Sequence, residues 1–247
     1  MVKRDPATYR SRVRHACAIL LGLIAAADPV SALVCPPAPL DTCRVAASTR
    51  LILRHDPTDP SRSLVKWRWT SGQASLRAAF GEPTTTTASA WCLYDEGGLI
   101  AQVDVGAGGQ CDGDPCWSAS GTGFRFAARG VTGGVRKVLL RADSGDRAKA
   151  MLRGAGAALP DVALPLAGTV VAQWLNDANR VCLEGRFASS TIERNDGERF
   201  SAAAGVVLPP APLPRPSAAC GAPVVAYATG SNNRALDHDG LTRSFGV

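Results

Sequence analysis

Downstream of residue 32 the chain offers no long apolar stretch at a helical period, so strands are its main route to a buried core. The clearest strand is KWRWT (66–70), where Trp67 and Trp69 share one face while Lys66, Arg68 and Thr70 share the other. RLILRHD (50–56) and SLVKWRWTSG (63–72) flank DPTDPSR, whose Asp and Pro residues favour a turn. Further segments of strand length follow at 89–95, 99–105, 122–129, 135–143, 148–156, 168–177 and 180–188, separated by Gly, Asp, Asn and Ser. This pattern predicts an all-β, disulfide-stabilised fold, a β-sandwich or a barrel-like sheet.

An internal repeat points the same way. Residues 50–105 and 137–188 read as two units: RLILRHDPTDPSRSLVKWRWTSG resembles KVLLRADSGDRAKAMLRGAG, and AWCLYDEGGLIAQVDV aligns without gaps to AQWLNDANRVCLEGRF. Two such sheet units packed face to face would cover apolar faces that neither could cover alone.

The chain opens with a basic segment, the apolar run ACAILLGLIAAA and the small residues Val30, Ser31 and Ala32, the signature of a secretory signal peptide spanning 1–32. The expected order is then an N-terminal extension at 33–49, an all-β domain at 50–205 and a Pro/Ala-rich, disordered tail at 206–247. No later segment is apolar over a membrane-spanning length, so no membrane span is expected after cleavage. The formal charge of +6 drops when Lys3, Arg4, Arg10, Arg12, Arg14, Asp5 and Asp28 leave with the signal, taking three net positive charges and leaving +3. The remaining Arg residues are scattered along the sequence, so a nucleic-acid partner is not expected.

Seven cysteines remain after cleavage: Cys35, Cys43, Cys92, Cys111, Cys116, Cys182 and Cys220. A periplasmic or extracellular location would oxidise most of them, and the odd count leaves one for a disulfide-linked partner. The cheapest local pairings are Cys35 with Cys43 and Cys111 with Cys116, with Cys92 to Cys182 tying distant strands.

The loop CDGDPC (111–116) invites three chemical readings. Redox catalysis wants two residues between its cysteines and a following helix, and neither is present. Zinc needs further ligands, and the only histidines after the signal, His55 and His238, are remote in sequence. Calcium could use Asp112 and Asp114 in a Gly-containing turn, although two carboxylates fall short of its usual six to eight oxygens. A disulfide-closed turn needs none of these, and no cofactor is otherwise expected.

No motif announces an enzyme. Asp237-His238-Asp239 lies in the tail, His55-Asp56 lacks a serine nucleophile signature, and the carboxylates Asp95, Glu96 and Glu184 could serve a carbohydrate-active hydrolase only if the fold spaced them correctly. A noncatalytic binding or structural module, recognising a surface polysaccharide or a protein, is the favoured expectation. Its recognition surface could be an aromatic platform at Trp91 with Tyr94, Asp95 and Glu96 at its edge.

Five blocks carry a resemblance: HDPTDPSRSLVKWRW, GEPTTTTASAWCLYDE, GGQCDGDPCWSASGTGFRF, GVRKVLLRA with AKAMLRGAGAALPDVALPL, and VAQWLNDANRVCLEGRF. Over residues 50–202 they resemble a family of uncharacterised secreted proteins from Gram-negative environmental bacteria. Family members often carry an aromatic between the last Cys and Glu, where this chain has Leu183. The resemblance implies secretion and a repeated β architecture, and it implies no activity.

Overall fold

The computed structural model describes residues 35–128 and 134–208, together with the backbone of 234–236 and 242–244. The expected signal peptide, Cys220 and Asp237-His238-Asp239 lie outside the described residues.

Fourteen strands make up the body: β1 (Ala46–Arg54), β2 (Leu64–Gly72), β3 (Ser89–Asp95), β4 (Gly98–Val105), β5 (Gln110–Cys111), β6 (Asp114–Pro115), β7 (Trp117–Ser120), β8 (Gly123–Ala127), β9 (Val135–Arg141), β10 (Ala148–Ala155), β11 (Val170–Asn176), β12 (Cys182–Phe187), β13 (Ile192–Asn195) and β14 (Arg199–Ala204). They build an eight-stranded sheet, ordered β13-β14-β1-β2-β10-β9-β8-β7, and a four-stranded sheet, ordered β12-β11-β3-β4. A separate ladder pairs β15 (Arg234–Leu236) with β16 (Thr242–Ser244), inside the stretch expected to be a disordered tail. Among the described residues no strand pairing joins the two ends of either large sheet, so the packed sheets form a sandwich and do not close as a barrel.

Exchanging β1–β4 for β9–β12 turns the orders β1-β2-β10-β9 and β12-β11-β3-β4 each into its own reverse. The gapless sequence alignment of the two units nonetheless needs correction. It matches Trp91 to Gln173, yet Trp91 packs between the sheets while Gln173 points to the opposite face. A one-residue slip is required, and the bulge between β3 and β4 at Leu93/Tyr94 accommodates it.

The core lies between the sheets. Trp67 and Trp69 of β2 project into it, as their alternation predicts, and meet Trp91 of β3 and Trp174 of β11, which are directly paired in register. The Trp69 ring lies over Gly72, where a Cβ would stand 1.9 Å from a ring carbon, so this position accepts only glycine without displacing the ring. At the turn before β2, Asp56 accepts from the Thr58 hydroxyl and the Asp59 amide, and Asp59 accepts from Ser61. These bonds satisfy the backbone where Pro60 starts a 3-10 turn.

The other face of the four-stranded sheet is also covered. Residues 35–45, expected to be an extension ahead of the domain, lie across it as a strap fixed by two disulfides, Cys35–Cys92 and Cys43–Cys182. This corrects the expected pairing. Cys92 is on β3 and Cys182 on β12, with β11 between them, and two strand spacings of about 4.8 Å exceed the reach of a disulfide. The strap bridges that gap by giving each sheet cysteine its own partner.

Candidate functional site

The residues expected to form an aromatic platform do not share a surface. Trp91 faces the core and is 1% exposed. Tyr94 is fully buried on the opposite side of β3, and burial pushes its hydroxyl up to about 12. Asp95 works in the hairpin turn, accepting from the amides of Gly97 at 2.8 Å and Ala167 at 3.1 Å. Glu96 follows in the same turn.

CDGDPC forms a two-residue hairpin between β5 and β6, with Asp112 (φ 56°) and Gly113 (φ 89°) at its tip and Cys111 bonded to Cys116. Positive φ at both tip residues is the type I′ geometry that Asp-Gly favours, a sequence signal available beside the cysteines. Asp112 and Asp114 are exposed, and among the described residues no group of three or more His, Cys, Asp or Glu side chains could hold a metal ion.

Of the three hydrolase carboxylates, Asp95 and Glu184 are likewise engaged elsewhere. Glu184 of β12 points towards the strap, accepting from Gln173 Nε2 at 2.8 Å and from Arg186 Nε at 3.0 Å. Gln173 also receives the Leu40 amide at 3.1 Å and donates to the Leu40 carbonyl at 2.8 Å, so the network ties the strap to the sheet. Asp95 sits at the far end of the β3–β4 hairpin. His55 Nδ1 lies 3.1 Å from Asp161, whose side chain is 86% exposed, and Ser63 lines the same cavity of about 20 Å³. No hydrogen bond joins Ser63 to His55 among the described residues, so the three do not form a relay.

The outer face of the eight-stranded sheet shows a charge pattern that sequence reasoning missed. Register places Lys66 of β2, Arg153 of β10 and Lys137 of β9 side by side across three neighbouring strands. An adjacent row sets Arg50 opposite Arg68 and, beyond Met151 and Leu139, reaches Arg125. Lys149 opposite Arg141 and Arg54 opposite Arg199 complete ten cations on one face. The seven strands β1, β2, β7, β8, β9, β10 and β14 contain no Asp or Glu at all. The only strand acid in this sheet is Glu193 of β13, which pairs with Arg50 at 3.0 Å.

Among the described residues, Arg50 is the only one of these ten cations in an ion pair. Neighbouring strands lie about 4.8 Å apart, and like charges directly opposite one another destabilise a sheet. The arrangement is therefore not explained by pairing within the protein. Beside the Arg54–Arg199 end, an open polar depression of about 440 Å³ adds Arg62 and Arg194, and there Asp56 and Glu198 bring negative charge. The acid Asp56 is held below the usual carboxylate range, chiefly by the Thr58 hydroxyl.

Comparison with known protein families, curated proteins and solved structures finds no match, so the architecture and this face are read from their own chemistry.

Proposed function

We propose that the protein is a noncatalytic binding module of an oxidising compartment, periplasmic or extracellular, that holds polyanionic ligands on the outer face of its larger sheet. The carrying observation is the segregation of charge: ten cations and no strand acid on seven adjacent or near-adjacent strands. Three disulfides support the compartment. A broad sheet face offers recognition without a catalytic centre, and two of the carboxylates singled out by sequence, Asp95 and Glu184, already serve as hydrogen-bond acceptors.

The test is retention on a polyanionic resin. Wild-type protein is expected to bind at low salt and elute as rising salt screens the contacts, whereas Lys66→Glu with Arg153→Glu elutes far earlier. Identical elution of the two would sink the assignment of the face.

A further inference from the structure

Resting on that reading, we infer that the ligand is a linear acidic polysaccharide of the polyuronate type, lying across the strands over Lys66, Arg153 and Lys137. These three residues are consecutive neighbours in the register, so their attachment points repeat at the strand spacing of about 4.8 Å. A uronate chain carries one carboxylate per sugar along an extended backbone. A chain running perpendicular to the strands therefore lays a line of negative charge over this line of cations, and the carboxylates on its near side meet them. The second row, Arg50 with Arg68, lies two residues along the strands and can take a parallel chain or the same chain's alternate faces.

Three absences on the face, all within described strands, separate this ligand from its competitors. No aromatic side chain faces outward: Trp67, Trp69, Phe124, Phe126 and Phe200 all belong to the core. Single-stranded nucleic acid gains much of its affinity from bases stacked on such rings, and this surface provides no stacking platform. The face, built of strands within one sheet, also has no projecting helix or ribbon to enter a duplex groove. An anionic membrane would favour fully exposed apolar side chains, yet those on this face, Ile52, Met151 and Leu139, are half-buried, and the exposed large ones among the described residues, Leu76, Leu99, Val206 and Val207, lie outside these strands. Arg and Lys together suit carboxylates, Arg through its bidentate fork and Lys as a point charge.

The experiment uses the oxidised full chain without its expected signal, titrated calorimetrically with polygalacturonate, dextran and a single-stranded oligonucleotide at matched salt. Polygalacturonate is expected to bind, dextran not to bind, and the oligonucleotide to bind at least tenfold more weakly. The triple variant Lys66→Gln, Arg153→Gln, Lys137→Gln should lose tenfold or more of the polygalacturonate affinity. A control removing three charges elsewhere, Arg77→Gln, Arg147→Gln and Arg180→Gln, should stay within threefold, with melting curves confirming that both variants fold. Tighter binding of the oligonucleotide, lost in the row variant, would overturn the polysaccharide assignment while leaving the polyanion face standing. Equal losses in the row and control variants, or no binding to either polyanion, would overturn both.

Discussion

The two outer faces of the sandwich are built on opposite principles. The four-stranded sheet hides its outer face under a strap, with two disulfides and a Gln173–Glu184 network holding the cover in place. The eight-stranded sheet displays exposed cations at Arg50, Arg54, Lys66, Arg68, Arg125, Arg141 and Arg153. One face gains stability through covalent closure and the Gln173–Glu184 hydrogen bonds. The other accepts repulsion between like charges in register. The difference teaches where to look for binding: in the face whose arrangement works against its own stability.

The largest effect should come from releasing the cover. Cys43→Ala with Cys182→Ala removes a bond between residues 139 apart, for which chain entropy gives about 5 kcal/mol. Removing Cys111–Cys116, with a separation of 5, should cost about 2 kcal/mol. Urea unfolding of the two double variants tests the contrast, and equal losses would mean that the strap does not hold the sheet as described.

A smaller effect of opposite sign is expected beneath the strap. The Tyr94 hydroxyl is buried without a hydrogen-bond partner among the described residues, so Tyr94→Phe should raise stability by about 1 kcal/mol at neutral pH. The raised pKa also fixes a pH window. Its contribution is present below the ordinary value of 10.0 and is lost as pH rises towards about 12. Melting curves from pH 9 to 12 should therefore show that the Phe variant lacks this part of the alkaline loss; parallel curves for both proteins would contradict the burial of that hydroxyl.

The smallest effect belongs to the open face. Lys66→Thr relieves repulsion from Arg153 across the register and should raise stability by a few tenths of a kcal/mol at low salt. The gain should vanish near 1 M salt, where the screening length is about 3 Å. A clear loss instead, in thermal melts at both salt concentrations, would reveal an internal stabilising role for Lys66.

Period-two alternation made part of the sandwich legible. KWRWT announces which side of β2 is buried, and Trp67 with Trp69 occupies that side. SAWCLYD is different: buried residues run continuously along β3 because the core covers one face and the strap the other. The sequence therefore signals a strand there without disclosing its second cover. Disulfide partners were illegible for a related reason, since Cys92 and Cys182 can be judged too far apart only after β11 is known to intervene. The cationic face was hidden for the same cause. Lys66, Lys137 and Arg153 look scattered in the chain, and only the order β2-β10-β9 brings them together.

The strap also imposes an order on maturation. Cys35 can meet its partner 57 residues later, but Cys43 must await a cysteine 139 residues away, near the end of the body. Meanwhile Cys35 and Cys43 are each other's nearest thiols in sequence, and a bond between them closes by far the shorter loop. Correct assembly thus depends on thiol–disulfide exchange to reopen that early product as much as on oxidation itself. Alkylation of refolding intermediates should trap Cys35–Cys43 before the native pair; its absence throughout would show that the sheet templates the strap from the start.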